Sequence, residues 1–422
     1  MRRTAKSRDL PHLPPVEKIE LTDKNRGRRL IAAAFFLALG AVALAYGFSL
    51  LMTGDSGWRQ IETNSGQTDV SGEFVLFYNI GASGAAAGPE NRALSNLYTE
   101  ACRTAYQLFT ADEEFEGIHN VAFINSHPNE ELEVDAVLYN AFALMAEHGR
   151  RELYLGPVYN AYDDIFLAAD DVYALEFDPY LDDTAAAFYA VLSSYASNPD
   201  MIDLELLEGS RLRLKVSDEY LSYARENELE RFIDFSWMKN AFITDYLADT
   251  LLSGGFSLGT VSSFDGFSRS LTQGGISYSL NIFDRVGTAA RQAAVLEYSS
   301  PTASVSLHSY PTNGMSAERM YTYASGEVRT LFLDVRDGRC RSALHDLTAY
   351  SETLSCAEIL MELIPVYIAD RFDAQAMAAL SDNGLQSIWC EDGSICYTAE
   401  EISLSGLYED DTVRYTLRPV QK

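Results

Sequence analysis

Positive charge is scarce in this chain of 422 residues: 32 Lys and Arg stand against 61 Asp and Glu, a formal net charge of −29. That balance excludes a nucleic-acid binder, because affinity for phosphate backbones comes from basic surface that releases condensed counterions. Cysteine is scarce too, and five in a chain of this length do not make a disulfide scaffold. Two of them, Cys390 and Cys396, flank a turn signal. A three-residue loop at Asp392, Gly393 and Ser394 would set them facing across a hairpin. A disulfide and a reduced apolar pair both stay open there. The six histidines, at positions 12, 119, 127, 148, 308 and 345, are scattered, and none lies at metal-ligand spacing from another. His308 and His345 each have the chemistry of a general base. A lone histidine is more often a polar surface or packing residue, and neither is assigned a role. Neither HExxH, a Walker loop, GxSxG nor paired CxxC occurs, which leaves no motif for a zincin, a P-loop enzyme or a hydrolase.

What is present begins with a segregated N-terminus. The first 29 residues carry nine basic and four acidic side chains. Residues 30–52, LIAAAFFLALGAVALAYGFSLLM, then carry no charge. A run of this length at helical rise spans a bilayer core, and the basic flank keeps the tail cytoplasmic. The expectation is therefore a single-pass membrane anchor with the C-terminal mass extracytoplasmic. A cleavable signal peptide is the rival reading; its apolar core is usually shorter. Removing the basic tail's surplus of five leaves about −34 on the remainder. Residues 53–72 are polar and read as a stalk, and residues 73–422 as the extracytoplasmic domain.

Within that domain EFVLFYNI reads as a strand, and the loop GASGAAAG leads to a helix from about Asn91. Glycine loops before helices can cradle phosphate, but this one carries no recognised fingerprint and reads as a plain connection. Residues 131–148 read as a helix. Leucines alternate on both sides of Glu208-Gly209-Ser210, a hairpin signature. Thr244 reads as the cap of a helix ending at Gly254-Gly255. Further hairpins surround Ser325-Gly326 and Asp337-Gly338, and helices are expected from Ser355 to Ile368 and near Asp373 to Leu380. Strands and helices mix without strict alternation, which points to an α+β fold. The acidic cluster Asp163, Asp164, Asp170, Asp171, Asp178, Asp182 and Asp183 lacks the spacing of a calcium loop and reads as solvated surface. Glu358 and Glu362 share one helix face. They suit a hard cation such as magnesium, or equally an exposed helix face.

Four segments keep a common order and spacing. FIDFSWMKNAFITD places Asp234 and Asp245 ahead of the helix YLADTLLSGG, with Ser236, Trp237, Lys239 and Asn240 between them. SSFDG follows at 262–266, then LFLDVRDG at 331–338 with Asp334 and Gly338, then a strand with Thr348 and the helix of Ala357, Glu358, Leu360 and Glu362. Gly156-Pro157 adds a further match. Together these resemble the FAD:protein FMN transferase family, the ApbE-like proteins of the bacterial cell envelope. The resemblance implies a two-lobed α+β ectodomain with FAD and Mg2+, and transfer of FMN to a threonine of an envelope partner protein. It assigns Asp234, Lys239, Asn240, Asp245, Asp334, Gly338 and Thr348 to the cofactor and Glu358 with Glu362 to the metal. The departures fall on functional positions. Ser236, Trp237, Phe264 and Asp265 stand where the family has glycines, Asn240 where it has lysine, and Leu331 where it has histidine. A glycine lets backbone approach a pyrophosphate closely, and a large side chain obstructs this. Two further readings therefore stand beside the active transferase: a degenerate, non-catalytic member, and an envelope module that binds a ligand or protein.

Overall fold

Alternation of apolar and polar side chains over FVLFYNI sends Leu76, Tyr78 and Ile80 into the core, and this strand sits near one edge of a sheet assembled almost wholly in chain order. The computed structural model describes residues 56–64, 68–271, 276–409 and 413–420. The basic tail and the apolar run 30–52 lie outside these residues. Among the described residues no helix is long and apolar enough to cross a membrane.

The sheet has nine strands: β1 (Gly57–Ile61), β2 (Phe74–Ile80), β3 (Gly259–Ser263), β4 (Phe267–Ser270), β5 (Ala303–His308), β6 (Asp346–Ser351), β7 (Gln386–Glu391), β8 (Ser394–Tyr397) and β9 (Thr416–Pro419). Each pairs antiparallel with the next until β9, which runs parallel to β8. Three helices cover one face: α1 (Ala87–Phe109), α2 (Lys239–Ser253) and α3 (Cys356–Tyr367). α2 packs against α1, α3, β3 and β4, and α3 packs on β5. Val261, Phe267, Val305, Leu307, Leu347 and Ala349 meet them from the sheet and join one apolar core. Burial of each such side chain contributes on the order of 2 kcal/mol.

The opposite face differs because its strands carry hydroxyls at every second position. Register aligns Ser262 with Ser268, Ser268 with Ser304, and Ser306 with Thr348. Their hydroxyls satisfy one another, Ser262 with Ser268 at 2.8 Å and Ser306 with Thr348 at 3.0 Å, so the face stays polar beneath whatever covers it. Part of the cover is a hairpin of Tyr278–Val286 and Ala289–Tyr298, inserted between β4 and β5. It buries Ile282, Ala294 and Leu296 against Ile388, Ile395 and Tyr415. After β8 the chain crosses over this hairpin. Leu404 and Ser405 pair with Leu296 and Val295, and Tyr408 N–H donates to Ala293 O at 2.9 Å. Between β2 and β3 lies the large helical insertion, with its own three-stranded sheet of Glu131–Glu133, Arg211–Val216 and Ile202–Leu207.

The α+β class, the strand at 74–80, the hairpin around Glu208-Gly209-Ser210 and the helix capped by Ser355 agree with the sequence reading. Other elements differ, each for a local reason. The stretch read as a stalk supplies β1 and a short helix, Asp69–Glu73. α1 begins at Ala87, four residues early, because Pro89 is tolerated in a first turn where its missing N–H has no partner to lose. The helix expected from 131 starts at Ala136 under an Asp135 cap, after a short strand. Thr244 caps nothing: a 3-10 turn, Ser236–Met238, feeds α2 directly, and the Thr244 hydroxyl donates back to Asn240 O at 2.6 Å.

At the last hairpin the turn holds two residues, Asp392 and Gly393, both at positive φ. Cys390 therefore lies opposite Ile395, and Cys396 opposite Trp389. A one-residue change of register sends the two thiols to opposite faces, and all five cysteines are free.

Candidate functional site

Between the hydroxyl-bearing sheet face, the hairpin 278–298 and the segment 312–332 lies a cleft of about 580 Å³, within the range of small-molecule sites. Ser262, Ser268 and Ser306 line its floor, and Trp58, Tyr278, Tyr298, Phe283 and Phe332 contribute its aromatic walls. Tyr278 stacks on Tyr298 with centroids 5.6 Å apart and meets Trp58 edge-on at 6.1 Å.

One end is closed by a polar knot. Asn240, buried at the start of α2, donates through Nδ2 to Glu73 and Asp265, both at 2.8 Å. Arg319 donates to Asp265 at 3.2 Å and also to Glu73, and Lys239 Nζ lies 3.8 Å from Glu73. Burial raises the Asp265 carboxyl above its ordinary range despite the pull of Arg319. Asp265 sits in the tight turn between β3 and β4, and Gly266 lets that turn approach β5 closely. At φ +109° a Cβ there would stand 2.1 Å from Ser306 O.

At the end of β5 a second cluster reaches the cleft. His308 lines it and directs Nδ1 to Asp346 Oδ1 at 2.8 Å, its register partner on β6. The same oxygen accepts from the Tyr310 hydroxyl at 2.5 Å, and Oδ2 accepts from Arg285 N–H at 3.1 Å.

The residues assigned through the resemblance are dispersed relative to this cleft. Asp234 and Lys239 line a second cavity of about 280 Å³ with Asp112 and Asp163. Burial raises the Asp234 carboxyl, against the Ser236 N–H that donates to it at 2.6 Å. Trp237, Arg319 and Leu331 line both cavities. Asp245 staples α2 to α3, accepting from Cys356 N–H at 3.0 Å and Ala357 N–H at 2.9 Å, with Arg269 Nη1 at 3.3 Å. Asp334 closes a separate surface turn. Burial would raise its carboxyl, but the side chain and N–H of Arg336, with Arg341, hold it below its usual range. Gly338 completes that turn at φ +70°, with Ser193, Tyr189 and Val158 packed over its α-carbon. Thr348 lies beside the cleft floor on the same sheet face, bonded to Ser306.

Glu358 is the third residue of a capping box: its Oε2 accepts Ser355 N–H at 2.8 Å, while Ser355 Oγ accepts Glu358 N–H at 3.2 Å. Glu362 stands 3.9 Å from His148 Nδ1. Among the described residues no three His, Cys, Asp or Glu side chains gather as a metal site. The glycine loop at 81–88 has its own anion. Glu90 accepts Gly81 N–H at 2.5 Å and the Ser83 hydroxyl at 2.6 Å, occupying the place a phosphate would take. In the acidic cluster, Asp178 is fully buried against Arg329 Nε at 2.7 Å, so it is no part of a solvated face. Asp170 and Asp182 are helix caps.

Sequence reasoning missed Glu73, Arg319, Asp346 and the hydroxyl floor. The serine alternation in ASVSLH was the one visible signal.

No protein-family model and no curated protein matches the sequence. Among solved structures the chain is similar to the ApbE protein of Thermotoga maritima, at 13% identity and a TM-score of 0.53 over 82% of this chain and 97% of that one. It is similar also to the flavin transferase ApbE of Vibrio cholerae, at 13% identity and a TM-score of 0.51 over 79% and 93% of the two chains. The chain has an ApbE-like fold.

Proposed function

We propose that this protein is a membrane-anchored, extracytoplasmic binding protein of ApbE-like fold, which holds an uncharged ring-bearing small molecule in the cleft and does not transfer FMN. The observation that carries the reading is electrostatic. Arg319 is the one Lys or Arg among the described residues lining the cleft, and Glu73 and Asp265 already engage it. A pyrophosphate entering there would surrender its hydration without a free cation to replace it, which is strongly unfavourable in a partly buried site. The two carboxylates assigned to magnesium support the same reading, since Glu358 is committed to capping α3 and Glu362 faces His148. Trp237, Phe264 and Asp265 occupy positions where the resemblance implies glycine, and all three line the cleft. Anchoring rests on the uncharged run 30–52 behind a basic tail.

The second reading is a Mg2+-dependent FMN transferase acting on an envelope protein. The ApbE-like fold favours it. Calorimetric titration of FAD into the full-length protein, with Mg2+ and then with EDTA, separates the two. The binding-protein reading expects no Mg2+-dependent heat. Mg2+-dependent binding that Glu358→Ala abolishes would overturn it and restore the transferase.

A further inference from the structure

The dyad of His308 and Asp346 has no part in the assignments above, yet it is a closely bonded polar pair at the cleft. His308 is paired directly across the β5–β6 ladder with Asp346, and its side chain keeps 11% exposure while that of Asp346 keeps 5%. The carboxylate accepts three donors, from His308, Tyr310 and the Arg285 backbone, so its place is over-determined. A hydrogen bond of Nδ1–H to a carboxylate fixes the tautomer of a neutral imidazole and makes Nε2 the acceptor. Phe283 sets its ring edge against the imidazole at 5.7 Å between centroids, holding the plane of the ring from the hairpin side. Nε2 has no protein partner among the described residues. It is an acceptor held on rigid strands, beside aromatic walls and above hydroxyls that serve as donor or acceptor by rotation.

We propose that His308 is the group that reads the bound ligand, accepting a hydrogen bond at Nε2, and that the ligand is an uncharged aromatic heterocycle with an N–H on its edge. Asp346 is a positioning residue: it acts through the imidazole and touches no ligand. The ligand class follows from what surrounds Nε2. The aromatic walls take a flat ring face, the acceptor takes an N–H, and the absence of a free cation among the described lining residues turns away carboxylates and phosphates. This inference rests on the cleft being a ligand site.

The test uses the full-length protein in detergent, labelled with 15N-histidine, and uncharged N–H heterocycles (indole, pyrimidinedione, pterin and flavin rings), each paired with its N-methylated counterpart. The expected result is that at least one N–H ring binds and shifts the 15N resonance of His308 Nε2. Its N-methylated partner should bind on the order of tenfold more weakly, as expected for one lost hydrogen bond in a desolvated site. In His308→Phe that discrimination disappears, and in His308→Gln, which keeps an acceptor, part of it returns. Asp346→Asn leaves the fold to be checked separately, but the His308 variants carry the conclusion without it. Discrimination that persists undiminished in His308→Phe overturns the role of His308 and leaves the cleft as a ligand site. No perturbation of the cleft by any ring in the set overturns both the inference and the binding reading beneath it.

Discussion

Asp245 gives a pH dependence of opposite sign to ordinary acid denaturation. Burial pushes its carboxyl up to about 6, outweighing the N–H groups of Ala357 and Cys356 and the nearby Arg269, which favour the ionised form. In the unfolded chain the same group titrates near 3.9. Between about pH 4 and 6 the native state therefore holds a proton that the unfolded state has released. Stability falls wherever pH rises through that window. The full excursion is roughly 3 kcal/mol, of which roughly 1 kcal/mol lies between pH 5 and 7. Asp245→Asn cannot titrate and keeps one acceptor for the α3 amides. Urea unfolding of both proteins near pH 5, 6 and 7 should show the wild type losing stability faster than the variant by that amount. Parallel pH profiles for the two would refute the reasoning and mean that the amides and Arg269 dominate burial.

The remaining predictions concern packing and covalent state. Gly266→Ala forces a Cβ against Ser306 O at a positive φ, and should cost roughly 3 kcal/mol or more in urea unfolding; an unchanged midpoint would deny the close approach of the β3–β4 turn to β5. Glu358→Ala removes half of a capping box and should cost about 1 kcal/mol, with no change in the heat of Mg2+ titration. The five cysteines are free, so five thiols should react in denaturant without reductant and dithiothreitol should leave Tm unchanged. A count of three would restore a disulfide.

The parts of the fold legible in the sequence are those whose cause is local. The leucine alternation around Glu208-Gly209-Ser210, the Ser355 cap and the apolar strand at 74–80 each report a turn, a helix start or a buried face within a few residues. The ordered set of weak matches gave the fold because spacing survives where residue identity does not. The site was not legible because its neighbours are made by register. His308 meets Asp346 only once distant strands pair, and Asn240 meets both Glu73 and Asp265 only once α2 packs on the sheet. The serines of β5 drew no reading, since nothing local shows that a hairpin covers them. Glu358 and Glu362 show the converse: their helix spacing was read correctly, but whether a carboxylate is free to bind metal depends on the amide beside it.

The strand order has a consequence for how the molecule assembles as its chain is made. After the insertion, each new strand of the sheet up to β8 finds its partner already waiting, the strand just before it in the series. The cleft does not share this schedule. Its hairpin roof is held by Asp346 and Ile388 on earlier strands, and is laced down further by Ser403, Leu404, Ser405, Tyr408 and Tyr415, which follow β8. These further ties form only after the strands of the floor are in place. A chain cut after β8 would keep its eight antiparallel strands and lose part of its roof's fastening. The scaffold is thus set before the last ties of the cleft's roof.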